Sequence, residues 1–260
     1  MLRAFGVEGP ARPLAGGQGS SWLAGELVLK PGGGPVHEWL AEALADVVAD
    51  GFRLALPVRT LHGTWSWKGW TAARRLEGTE PDHSISTSST WLPVVEAGRA
   101  FHRAVAHLDR PDCLEARDDR WAVADRAAWG EQVLQLRPDL ADLGRRLQRA
   151  LEPLGSPQVV HADLTGNVLF SPTLPPAVID ISPLWRPPEY AEGVVVADAL
   201  CWHGAPASLL DQAGVSVAAV ARALFFRMAT THQAVACCLG DVDVEDEARR
   251  YTLAVEMIGV

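Results

Sequence analysis

HADLTGNVLF, residues 161–170, decides the reading of this chain, together with the run AVID that ends at Asp180. Asp163 follows the strand-like QVVH of residues 158–161, and Asn167 comes four residues later on the same loop. Thirteen residues beyond Asn167, a second apolar run presents Asp180. A carboxylate, a carboxamide and a second carboxylate on neighbouring loops supply hard oxygen ligands for a cation. One carboxylate is left to orient a hydroxyl nucleophile, a division of labour that phosphoryl transfer uses. Each residue alone is as ordinary as the Asp and Asn of any turn. The ordered set carries the reading.

The upstream segment supplies a complementary half. In AGGQGSSW (15–22), Gly16, Gly17 and Gly19 are followed by Ser20 and Ser21. Such a loop lets backbone N–H groups approach phosphates closely. Lys30 ends the alternating run GELVLK (25–30), where an ammonium can meet phosphate oxygens as a point charge. No G-K-[ST] follows, so this is not a Walker loop. The 23 basic residues are 21 Arg and two Lys, Lys30 and Lys68, and Asn167 is the single Asn. In a chain so depleted of both types, Lys30 and Asn167 gain weight.

H-x-D, a nearby Asn and an apolar strand ending in I-D resemble the aminoglycoside phosphotransferase-like enzymes, small-molecule kinases with a protein-kinase-like fold. The resemblance spans nearly the whole chain: glycine loop, L-V-L-K strand, acidic helix, a strand pair ending in L-E-G, then the H-A-D and I-D segments. Its details look closest to an actinobacterial branch of that family. It implies an α+β, two-lobed architecture, with a small β-rich lobe over residues 1–78 and a larger, mostly helical lobe over 79–260. It also implies ATP and Mg2+ as cofactors. Asp163 would be the catalytic base, with His161 bracing its loop and Asp198 anchoring that loop from a helix behind. Asn167 and Asp180 would hold magnesium. Gly17, Gly19, Ser20 and Lys30 would meet the nucleotide phosphates, and backbone from Arg74 to Leu76 would grip the adenine.

This chain departs from the family in three places. Ala162 stands where the family has Gly, the interval from Asp163 to Asn167 is four rather than five, and position 182 is Ser. Glu38 and Glu42 lie one turn apart on one helix face and compete as partners of Lys30. Glu42 is preferred because its distance to Pro57 is nearer the family interval. The implied activity is transfer of the ATP γ-phosphoryl group to a hydroxyl of an aminoglycoside, sugar or amino alcohol. The shortened loop motivates the alternative of a nucleotide-binding pseudokinase with a regulatory or partner-binding role. No D-F-G or A-P-E segment follows Asp180, which disfavours a protein kinase.

Composition agrees with an enzyme of small molecules. The 260 residues are 48% hydrophobic and carry a net charge of −9 with no basic cluster, so nucleic-acid binding is not expected. No apolar run reaches the ~18 residues of a membrane span, and MLRAFGVEG lacks the features of a signal peptide. Cys113, Cys201, Cys237 and Cys238 lack C-x-x-C spacing and are expected to be reduced and buried, favouring the cytoplasm. Periodicity predicts helices over 36–50, 90–108, 191–203, 206–237 and 243–258, and a strand pair turning near Gly63. DVDVEDE (241–247) reads as a solvated helix start, with a cationic acceptor as its alternative role. Trp65, Trp67 and Trp70 read as packing residues, His102 and His107 as ordinary helical residues, and Trp185 and Arg186 as possible acceptor contacts.

Overall fold

Leu27 and Leu29 are buried while Val28 and Lys30, which alternate with them, are half-exposed, so one strand builds both a core and a cleft wall. The computed structural model describes residues 1–14, 19–82 and 86–260. The chain forms β1 (Arg12–Pro13), β2 (Trp22–Ala24), β3 (Leu27–Pro31), α1 (Pro35–Ala43), β4 (Arg53–Leu54), β5 (Ser66–Trp67) and β6 (Trp70–Arg74). The main sheet has the order β1-β2-β3-β6-β5, and every neighbouring pair is antiparallel. Leu27, Leu29 and Ala24 pack with Phe5 and Ala72 into a small core beneath it.

Two expectations for this lobe are corrected. The hairpin turns at Lys68–Gly69, both with positive φ (48° and 74°), and not near Gly63. A two-residue turn of that kind matches the twist of the flanking strands. Gly63 instead closes a smaller loop in which Thr60 and Thr64 bond each other. The helix expected over 36–50 ends at Ala43. Beyond it Leu44 and Val47 still touch the core but Val48 is 81% exposed, so little apolar area rewards further turns.

The second lobe comprises α2 (Ser88–Val105), α3 (Asp112–Glu115), α4 (Arg120–Ala128), α5 (Pro138–Arg149), β7 (Gln158–His161), β8 (Val168–Leu169), β9 (Ala177–Val178), β10 (Pro183–Arg186), α6 (Pro188–Trp202), α7 (Leu209–Ala213), α8 (Val217–Ala236) and α9 (Val244–Met257). β7 pairs with β10, and β8 with β9. β9 also pairs in parallel with β4 of the first lobe. The helix expected over 206–237 is two: Gly214 takes a left-handed φ of 64° after α7, and Ser216 caps α8.

α6 is buried nearly all round and crosses α8 at Gly193. A Cβ at Gly193 would lie 2.5 Å from the Ala219 carbonyl oxygen, so only glycine allows the two backbones to approach this closely. The cysteines form no disulfide among the described residues. Only Cys201 is buried, whereas Cys113 is half-buried and Cys237 and Cys238 are exposed, contrary to expectation. No described helix is long and apolar enough to cross a membrane.

Candidate active site

β7 delivers His161 to a position with no exposed surface. Its Nδ1 accepts the backbone N–H groups of Asp163 and Ser182, each at 3.3 Å. That leaves Nε2–H to donate to the Ile179 carbonyl at 3.1 Å. The His161 backbone N–H in turn donates to His102 Nε2 at 3.1 Å. Burial lowers the pKa of both imidazoles, that of His102 to about 3. His161 is therefore a neutral rivet joining the Asp163 loop to the Asp180 strand, and it positions these loops without reaching the cleft. His102, read from the sequence as an ordinary helical residue, is part of the same rivet.

The shortened loop keeps its ends in contact. Gly166 adopts φ 74°, and the Asn167 N–H donates to the Leu164 carbonyl at 2.9 Å. Asn167 Nδ2 then donates to the Asp163 carbonyl at 2.6 Å. The Ile179 N–H donates to the Asn167 carbonyl at 3.0 Å, which draws the two loops together. Asp180 follows with a left-handed φ of 50°. That backbone region is unfavourable for most L-residues but admits Asp.

Lys30 of β3 pairs with the Asp180 carboxylate. Both line a cleft of about 510 Å³, with Asn167 on one side and Val28, Arg74 and Leu76 on another. The expected residues Lys30, Arg74, Leu76, Asn167 and Asp180 are thus brought together. Glu42 is not with them. It accepts from Trp65 Nε1 at 3.4 Å and lies 3.7 Å from Arg59.

Helix phase explains this correction. His37, Leu40 and Leu44 form the stripe at i, i+3 and i+7 that faces the cleft, which turns Glu42 to the far side of α1. Glu38 is off the stripe too. The helix therefore contributes an imidazole to the cleft, His37, whose Nε2 lies 3.3 Å from the Trp65 carbonyl and whose pKa is lowered by burial. Gly19 and Ser20 lie on an exposed turn before β2, and Leu14 and Ser21 form that corner of the cleft. Gly17 lies outside the described residues.

Asp163 opens on a second pocket, of about 340 Å³, walled by Arg227, Trp202, Thr231 and Tyr251. Arg227 of α8 closes its fork on Asp198 of α6, with Nε–Oδ1 at 2.7 Å and Nη2–Oδ2 at 2.5 Å. The same Nη2 donates to Asp163 Oδ1 at 3.1 Å. Burial pushes the Asp198 pKa up, against the pull of Arg227. Burial also opposes the charge on Arg227, but Asp198 and Asp163 outweigh it and its pKa is raised. Asp198 thus reaches Asp163 through Arg227. Sequence reasoning missed this arginine, although a cation in the apolar run GVSVAAVARALFFRM needs a buried partner.

The acidic segment 241–247 is mostly a helix start. Asp243 caps α9 by accepting the Asp246 N–H at 3.0 Å, and Asp246 pairs with Arg249 and Arg250. Glu247 alone of that segment is tied to the second pocket, accepting from Trp202 Nε1 at 2.9 Å. Arg186 pairs with Asp125 and Glu131 and, with Trp185, lines a different cavity. Trp67 and Trp70 pack against the small core of the first lobe, while Trp65 carries Arg59 on its ring.

Solved structures of known proteins share this fold. The fold is similar to that of a microcompartment-associated aminopropanol kinase, at 18% identity and a TM-score of 0.61 over 99% of this chain and 93% of that one. It is similar to a spectinomycin phosphotransferase in complex with ADP and spectinomycin, at 14% identity and a TM-score of 0.59 over 98% and 94%. A choline kinase from Streptococcus pneumoniae matches at 14% identity and a TM-score of 0.60 over 96% and 93%. These likenesses show the two-lobed, protein-kinase-like fold. No curated protein sequence matches the chain. The model of the phosphotransferase enzyme family matches residues 31–181, from the end of β3 to the residue after Asp180. Since that match spans more than half of the sequence, the chain belongs to the phosphotransferase enzyme family.

Proposed function

We propose that this phosphotransferase moves the γ-phosphoryl group of ATP to a hydroxyl of a small molecule. One observation carries the reading. Lys30, Asn167 and Asp180 share a cleft, and Asp163, bonded to Asn167 through its carbonyl, opens on the pocket beyond it. We divide the chain into residues 1–78 and 79–260, which meet along that line.

The residues fit magnesium. Asn167 uses its amide N–H on the Asp163 carbonyl, so Oδ1 is the atom left for a cation, and Asp180 adds a carboxylate. Among the described residues no group of three or more His, Cys, Asp or Glu side chains forms a metal cage. A two-ligand set suits magnesium, which keeps waters and takes substrate phosphates as its other ligands. Bound there, the ion would offset negative charge on the nucleotide phosphates.

Asp163 accepts the proton of the acceptor hydroxyl as its oxygen bonds to the γ-phosphorus. The bond from that phosphorus to the β–γ bridging oxygen breaks, and ADP leaves with the electron pair. Lys30 holds phosphate oxygens by charge, and the backbone of Arg74 to Leu76 faces the adenine. Positioning and electrostatics supply most of the rate in such a reaction. Spectinomycin, aminopropanol and choline, named for the similar structures, mark the range of acceptors. An ATP-dependent reaction belongs in the cytoplasm, where ATP is supplied.

The pseudokinase alternative rests on the shortened loop, yet the 2.6 Å contact keeps Asn167 beside Asp163. Screening ATP consumption against choline, ethanolamine, 1-amino-2-propanol, spectinomycin, sugars and nucleosides tests the proposal. Turnover by wild type, lost in Asp163→Asn, is the expected result. Magnesium-dependent ATP binding without turnover on any acceptor favours the pseudokinase.

A further inference from the structure

Arg227 occupies a stretch of α8 whose neighbours Leu224, Phe226 and Met228 are buried. A cation there must be paired, and Asp198 already does so through both carboxylate oxygens. The bond from Nη2 to Asp163 Oδ1 is surplus to that pairing. It points out of the core, to a side chain that is 45% exposed and opens on the second pocket. Among the described residues the other Asp163 oxygen, Oδ2, meets only Asn167 Nδ2, at a long 3.5 Å. One oxygen of the carboxylate is therefore held and the other is open.

We propose that Arg227 is a positioning residue for phosphoryl transfer, clamping Oδ1 of Asp163 so that Oδ2 meets the acceptor hydroxyl. The inference rests on Asp163 being the group that accepts the hydroxyl proton. Asp198 is the fixed counter-ion that aims the guanidinium. Its helix is held at a set distance from α8 by the Gly193 crossing. The planar fork of Arg serves two carboxylates at once, which the point charge of Lys does less well. Thr230 and Thr231, three and four residues on, line the same pocket, so this face of α8 is presented to the acceptor as a unit.

Four variants test the clamp: Arg227→Met, Arg227→Lys, Asp163→Asn and the double variant Arg227→Met/Asp198→Asn. The double variant removes both buried charges, which keeps the test valid if Arg227→Met alone fails to fold. Activity is read as Mg·ATP turnover, with water and with the best acceptor of the screen. Loss of the clamp lowers kcat about 10²-fold, the scale of a misplaced catalytic group, with KM for ATP within a few-fold of wild type. Arg227→Lys recovers part of the loss, and sub-denaturing guanidinium restores some turnover to Arg227→Met or the double variant. A role confined to stability moves the melting temperature but neither splits kcat from KM nor responds to guanidinium. Near-wild-type kcat in a folded variant lacking Arg227, with Asp163→Asn inactive, overturns the clamp and leaves the kinase reading standing. Full activity in Asp163→Asn, or none in wild type, overturns both.

Discussion

Lys30 pairs directly with Asp180, 150 residues away in the chain and on the opposite wall of the cleft. Their side chains are 28% and 46% exposed, and pairs so open to water contribute only ~0–1 kcal/mol to stability. Lys30→Ala should therefore leave the ligand-free melting temperature nearly unchanged. Its effect should appear with nucleotide. At 100 times its dissociation constant, ATP should stabilise the wild type by ~2.7 kcal/mol. The variant should lose most of that shift, as thermal melts with and without Mg·ATP will read. Equal shifts in both proteins would remove Lys30 from the nucleotide site.

The left-handed backbone at Asp180 (φ 50°) makes a graded substitution series informative. Asn tolerates that region, so Asp180→Asn should fold like wild type while losing magnesium-dependent ATP binding. Asp180→Val should in addition lose ~1–3 kcal/mol, because a β-branched side chain is strained there. Denaturant midpoints and magnesium titrations separate the two effects.

His102 gives stability a pH dependence. Its folded pKa, about 3, lies below the ordinary value of 6.5, so from pH 6.5 down towards 3 the unfolded chain binds a proton that the folded chain refuses. Stability is then complete above pH 6.5 and falls below it, at up to ~1.4 kcal/mol per pH unit for this group. The lowered pKa of His161 acts in the same direction. Urea midpoints at pH 7 and 5 should differ by less in His102→Gln than in wild type. An unchanged slope would show that His102 is not held neutral.

Gly193→Ala should be costly for a single methyl group. The new Cβ meets backbone at Ala219 rather than a flexible side chain, and overpacking of this kind costs ~1–3 kcal/mol. Because α6 and α8 carry Asp198 and Arg227, the displaced helices should also lower turnover. Gly63→Ala, whose Cβ meets nothing within 4 Å but whose φ of 80° also strains an alanine, serves as a control that should lose stability yet keep its turnover. Calorimetric melting and kcat together check the pair.

Local pattern made much of this legible. HADLTGN and AVID announced the two loops, and the alternation of GELVLK announced β3, because both signals lie within one element. Lys30, Asn167 and Asp180 could be gathered for that reason. Sequence distance does not fix helix phase, so it points to Glu42 although α1 turns His37 to the cleft instead. The Arg227–Asp163 contact joins residues 64 apart, and Trp202 and Tyr251 meet the same pocket from separate helices. Nothing local in the sequence records such a meeting.

The pairing of β4 with β9 has a mechanical consequence. The polypeptide itself passes from one lobe to the other near Gly78–Thr79, where Thr79 also bridges Phe170. Arg53 adds a second attachment, bonding the Glu77 carbonyl at 2.7 Å and the Pro175 carbonyl at 2.8 Å beside the parallel pairing. Two fixed points define an axis, and a body pinned at two points can only swing about the line between them. Any opening of the cleft would therefore be a swing about that line, like a door on its pins, and not a sliding of one lobe past the other.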